Sequence, residues 1–142
     1  MASVVYNSFK RDIMNGSIDL DTDTINVMLV TSSYSPNIDT HAKRSDITNE
    51  VGNSGTYSAG GSALSSKTVT VDTTDDEGVF DAADISWTSA TITARGAVLY
   101  KARGGASSAD ELICYVDFGS DVTSTAGTFT IAWNSEGIVN LG

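Results

Sequence analysis

Leu112-Ile113-Cys114-Tyr115-Val116-Asp117-Phe118 is the stretch that decides the fold class. On an extended chain, side chains alternate between two faces. Leu112, Cys114, Val116 and Phe118 therefore fall on one side, with Ile113, Tyr115 and Asp117 between them. Phe129, Ile131 and Trp133 repeat the pattern against Thr128, Thr130 and Ala132. Each run has one face to bury and one that water can wet. Clusters of Gly, Asn, Asp and Ser separate the runs, so the chain turns back often. The sequence predicts an all-β fold, a jelly-roll-like β-sandwich with a short N-terminal helix, and leaves no helix layer for an α/β enzyme.

Working outward, the strand signals are Ile25 to Val30, Ala63 to Thr73, Val79 to Ala82, Ile85 to Thr88 and Thr91 to Ala102. Glu111 to Phe118, Thr128 to Asn134 and Gly137 to Leu141 complete the set. Ile25 to Val30 is nearly all apolar and suits a strand covered on both faces. Asp75-Asp76-Glu77-Gly78 reads as an acidic turn. Residues 3–15 are the helix candidate: Val5, Phe9 and Ile13 recur every four positions, and Asn15-Gly16 suits a helix stop. Three turns are marginal alone and must dock an apolar stripe, on their own sandwich or on a neighbouring subunit. Ser32 to Ser62 reads as a long irregular segment with a short helical turn near Thr40 to Ile47. A loop of that length in a compact domain usually has a role, commonly binding.

The 142 residues suit a single domain, 1–142, with one core. No apolar run is long enough to span a membrane, and Met1 to Val5 lacks the features of a signal peptide, so synthesis in a cytoplasm is expected. The single cysteine, Cys114, lies among apolar strand residues and is expected to be a buried, inert thiol. The formal charge is −10, which disfavours direct contact with nucleic acid or anionic lipid. Lys10-Arg11 and Lys43-Arg44 supply half of the eight basic residues within the first fifty positions. If a partner presents carboxylates, these pairs are the expected contacts. Arg95, in mid-strand beside Gly96, must reach solvent or a carboxylate, within the chain or across a subunit boundary.

The usual catalytic signatures are missing from the sequence. His41 is the only histidine and lies in the long loop, away from any strand end where a triad base would sit. One His and one distant Cys do not close a zinc site. Asp19, Asp21 and Asp23 have a calcium-loop spacing, but Thr24 and Val30 stand where that loop needs Gly and Glu. Asp72, Asp75, Asp76 and Glu77 offer a different oxygen cluster of a kind common in acidic proteins. Trp87 and Trp133 stand in alternating patterns that favour core packing over sugar platforms. No catalytic residue, metal or cofactor is expected.

Val5-Tyr6-Asn7-Ser8-Phe9-Lys10-Arg11-Asp12-Ile13-Met14-Asn15-Gly16, Ile25 to Tyr34 (INVMLVTSSY), Ile92 to Lys101 (ITARGAVLYK) and Tyr115 to Asp121 (YVDFGSD) resemble small virion proteins of tailed bacteriophages. So does Asn134-Ser135-Glu136-Gly137-Ile138. Among these the chain looks most like a capsid cement or decoration protein. That resemblance implies a non-enzymatic protein on the outer capsid surface, bridging neighbouring copies of the major capsid protein at the seams. It also implies self-association as a homodimer or trimer. A tail or head-fibre component is the alternative, and a carbohydrate-binding module or glycan-degrading enzyme a more distant one. The expected contact residues are Tyr6, Phe9, Lys10, Arg11, Ile13, Lys43, Arg44 and Arg95. On this view the helix and the long loop are free to supply contact area, and deleting residues 1–15 leaves a folded sandwich.

Overall fold

The computed structural model describes residues 1–142. In chain order the elements are β1 (Val4–Val5), α1 (Asn7–Met14), β2 (Ile25–Val30), β3 (Ser62–Ala63), β4 (Thr68–Asp72), β5 (Glu77–Asp81), β6 (Ile85–Lys101), β7 (Leu112–Ile131) and β8 (Val139–Leu141), with 3-10 turns at Arg44–Asp46 and Ser107–Ala109. One sheet has the order β1-β7-β6-β2-β3 and the other β4-β5-β8, with every pairing antiparallel. This is the expected all-β sandwich with a short N-terminal helix.

β6 and β7 form one long hairpin, where the sequence predicts four shorter strands. The breaks in alternation that suggested turns are irregularities inside continuous strands. Register shifts between Trp87 and Ala90, where Ser89 takes φ 52°, and Ala126 takes φ 44° on the facing strand. A second shift changes the reading of the opening stretch. Leu99 faces Cys114 while Tyr100 faces Leu112, so Ile113 is an extra residue. A bulge of one residue reverses which face the rest of the strand presents. Leu112 therefore joins Tyr100 and Tyr115 on one side of the sheet, and Cys114 and Val116 lie on the other.

Residues 112–116 are all buried because the large sheet is covered on both faces. Between the sheets lies a core of 23 buried residues that includes Phe9, Leu29, Trp87, Cys114 and Phe129. On the opposite face a second cluster of 8 joins Tyr6, Met28, Val30, Tyr34, Val98, Tyr100, Leu112 and Tyr115, in place of the single core expected. The cover for that face comes from residues 32–62, whose Tyr34 is buried and whose Ile47 packs against the cluster. The same segment sends Val51 and Tyr57 into the main core. Tyr57 Oη accepts the Leu29 N–H at 2.9 Å and donates to Glu50 at 2.7 Å. The segment contains the expected helical turn, at Arg44–Asp46. It is part of the packed structure, not a spare surface.

The N-terminal expectation is also corrected. Val5 pairs with Cys114 in β1, so α1 starts only at Asn7, after an extended Tyr6 with ψ 141°. Asn15 closes the helix and Gly16 takes φ 78°, as the Asn-Gly pair implies.

Candidate contact surface at the ion-pair end

Asp110 and Glu111 lie between the 3-10 turn at Ser107–Ala109 and β7, and are only 2% and 3% exposed. A buried carboxylate is stable only when paired and hydrogen-bonded. Arg103 meets Glu111 with two donors, Nε to Oε1 at 2.6 Å and Nη2 to Oε2 at 2.9 Å. Lys43 Nζ approaches Glu111 Oε1 at 3.5 Å, and an isolated bridge joins the two residues' backbones. Arg44 Nε donates to Asp110 Oδ2 at 2.8 Å, while the Arg103 N–H donates to Oδ1 at 2.9 Å. The Arg44 guanidinium also sits 5.2 Å from the Tyr100 ring centroid. Beside them Lys101 Nζ pairs with Asp23 at 2.9 Å and donates to the Ser17 carbonyl.

Burial acts to raise the Glu111 pKa, but the Arg103 hydrogen bonds and the Lys43 charge outweigh it, and the net shift is downward. The Arg103 guanidinium is held above its ordinary value by the same pair. The carboxylates lie inside and the cations cover them: the Arg103 side chain is 44% exposed and Lys43 36%, against 5% for Glu111. Arg11, paired to Asp12 at 2.9 Å, also feels the Glu111 charge.

Five of the chain's eight cations (Arg11, Lys43, Arg44, Lys101 and Arg103) thus gather here with five carboxylates, Asp12, Asp23, Asp46, Asp110 and Glu111. The remaining three cations and thirteen carboxylates leave the rest of the chain at −10. Counted by these pairs the end is neutral, and Arg11, Lys43 and Arg103 are its outward-facing cations, whereas Arg44 and Lys101 are largely buried. Its exposed cations suit this end to meet an acidic partner without strong repulsion.

The expected contact residues divide. Lys43, Arg44 and Arg11 come together at this end. Lys10 is exposed on α1, its amine 3.3 Å from Asn7 Oδ1. Tyr6 and Phe9 are 0% exposed and are corrected to internal residues, because β1 and α1 seal the two cores. Ile13 is half-buried against the main core and lines a groove beneath the small sheet. Arg95 pairs within its own chain, Nε to Asp117 Oδ1 at 3.0 Å, and needs no second subunit to neutralise it. Arg103, Asp110, Glu111 and Lys101 were not singled out from the sequence. The signal that could have found them is the adjacent Asp110-Glu111 pair opening a strand otherwise made of apolar residues.

The other candidates have structural roles. The Asp19 N–H donates to Asp23 Oδ2 at 2.8 Å, so the Asp19–Asp23 turn caps itself. Asp72, Asp75 and Glu77 bring carboxylate oxygens within 4.8 Å of one another around the turn from β4 to β5. His41 Nδ1 lies 2.9 Å from Tyr34 Oη. Trp87 is 1% exposed, with Nε1 donating to Ser62 Oγ. Trp133 is half-buried against the main core, and its indole Nε1–H donates to the Ala83 carbonyl at 3.0 Å. No protein-family profile, curated protein or solved structure matches the chain.

Proposed function

We propose that this chain is a structural protein of a tailed-bacteriophage virion that decorates the capsid and reinforces it by bridging neighbouring major capsid protein subunits. The observation that carries this is the charge arrangement: in an acidic molecule five of eight cations gather at one end, where Arg11, Lys43 and Arg103 are exposed over the buried carboxylates of Asp12, Asp110 and Glu111. Such an end docks on carboxylate-bearing protein, while the −10 remainder disfavours non-specific clumping of many copies on a crowded surface. Lys43, Arg103 and Arg11 are the contacts, with Lys10 beside them on the helix. The resemblance of the N-terminal and strand motifs to small virion proteins supports the same role. Apolar and hydrogen-bonded contact at the seams would oppose the outward pressure of packaged DNA.

Copies of the protein per purified virion, counted by mass spectrometry against the major capsid protein, test the proposal. A ratio within a few-fold of the capsid protein is expected. A dozen copies or fewer would place the protein at the tail or portal vertex instead. Lys10→Glu combined with Lys43→Gln is expected to abolish binding to purified shells, with Glu111 still held by both Arg103 donors and the fold intact.

A further inference from the structure

β4 is an outer strand of the small sheet, bonded to β5 on one side and to no strand on the other. Thr68, Val69, Thr70 and Val71 are all exposed, Val69 at 51% and Val71 at 78%. Val69 faces Phe80 and Val71 faces Gly78 across the β4–β5 pair, so both valines project on the side of Phe80, which is 2% exposed and part of the core. They extend the core's apolar layer past the point where the chain covers it. Val69 also forms one wall of a groove of about 470 Å³ whose other walls include Ile13, Ile18, Leu20 and Leu141.

Folded proteins blunt exposed edges with a proline, a bulge or a charge within the strand. Residues 68–71 contain none of these. The charges stand at the two ends and are opposite in sign. Lys67 precedes the strand, and the carboxylates of Asp72, Asp75 and Glu77 cluster after it. The Lys67 amine donates to the Asp23 carbonyl at 2.6 Å, which leaves two of its three donors free.

We propose that the β4 edge is where two copies of this chain pair, antiparallel about a two-fold axis through Thr70. In that register Val69 of each copy faces Val71 of the other, giving two cross-strand valine contacts on the apolar side. On the opposite side Thr68 faces Asp72, and its hydroxyl donates to the carboxylate. Lys67 of each copy lies alongside the other's Asp72–Asp75 carboxylates. Antiparallel pairing joins unlike ends, whereas parallel pairing would set lysine beside lysine and the acidic clusters beside each other. The edge is therefore complementary to itself, as an isologous two-fold contact requires. The two small sheets become one sheet of six strands. An edge contact of five residues falls below the roughly 1,600 Å² of a standard interface, so the dimer is reversible and depends on concentration. This contact belongs to the isolated chain and does not depend on a place in a virion.

Sedimentation velocity of the full chain from about 1 to 500 μM, a range that spans weak association, tests it. The sedimentation coefficient is expected to rise from the monomer towards the dimer value. Val69→Glu with Val71→Glu places carboxylates directly opposite one another and is expected to stay monomeric throughout, with an unchanged far-UV spectrum. Thr125→Glu, exposed on the other sheet, is expected to associate like the parent chain. Lys67→Glu should raise the midpoint at least tenfold. A parent chain that stays monomeric overturns the proposal, as does a dimer that survives both valine substitutions. An effect of Thr125→Glu equal to theirs does the same, and an unchanged Lys67→Glu overturns the register. Should the double variant lose its spectrum, Val71→Glu alone carries the test at the more exposed position.

Discussion

Tyr6 and Tyr34, 28 positions apart, share a hydrogen bond of 2.7 Å between their buried hydroxyls. Burial and this bond push the Tyr6 pKa well above its ordinary value. Tyr34 Oη continues the chain to His41 Nδ1, so the N-terminal segment is tied to the 32–62 segment across the second core cluster.

That tie reverses the expectation for the N-terminus. Deleting residues 1–15 removes Phe9 from the main core, Tyr6 from the second and β1 from β7. Loss of one buried Phe side chain alone costs about 3–5 kcal/mol, comparable with the stability of a small domain. The truncated chain is expected to be unfolded by circular dichroism. Tyr6→Phe, which keeps the ring and removes one hydroxyl, is expected to cost about 1 kcal/mol in urea unfolding.

Gly61 is a position that only glycine satisfies. It has φ 74°, and a Cβ there would lie 1.7 Å from the Val27 carbonyl oxygen, where β3 closes on β2. Gly61→Ala is expected to lose about 2–4 kcal/mol, read as a shift in urea midpoint. Gly52→Ala, where a Cβ meets nothing within 4 Å, is the control and should leave the midpoint close to that of the parent.

The Ile25–Val30 strand and the Asn15-Gly16 helix stop were legible because both depend on local pattern. The two-sided burial of 112–116 was not. Perfect alternation can be read from residue types, but the extra residue at Ile113 is fixed by its neighbour Leu99-Tyr100 on another strand. The spacing of Val5 to Phe9 also fits a helix, and only pairing with Cys114 decides for a strand. The ion-pair end was half legible. Lys43 and Arg44 stand out as a basic pair, but their partners lie 68 and 66 positions away, beyond any sequence window.

Glu111 gives the fold an acid-sensitive element. Its folded pKa is lowered relative to the ordinary value of 4.5, so the folded state holds its proton less tightly than the unfolded state. The stability it contributes is complete above about pH 4.5 and is lost as pH falls through the folded pKa. Glu111→Gln is expected to unfold at lower urea at pH 7 and to show a shallower loss of stability below pH 4.5 than the parent. Arg103→Ala leaves the buried carboxylate with Lys43 alone and is expected to cost about 1–2 kcal/mol, given how exposed the guanidinium is.

Cys114 is fully buried, and burial pushes its thiol up to about 12. The thiolate is the reactive species, and at neutral pH almost none forms. Native protein is therefore expected to resist iodoacetamide for hours, while protein in strong denaturant is modified completely within minutes. Rapid labelling of the native chain would show that β7 opens locally around the Ile113 bulge.

The β6–β7 hairpin has a consequence for the order in which the chain folds. Its two strands lie within one stretch, 85–131, whereas β2 must close a loop of more than fifty residues to reach β6. Loop closure delays distant pairings, so the hairpin is the natural nucleus and β2 arrives later. Truncations of Ile92 or Phe129 are then expected to slow refolding, while truncation of Val27 mainly hastens unfolding. Until β2 docks, the hairpin's flank facing it is an unpaired edge beside apolar side chains, and that interval is when the chain is most exposed to aggregation.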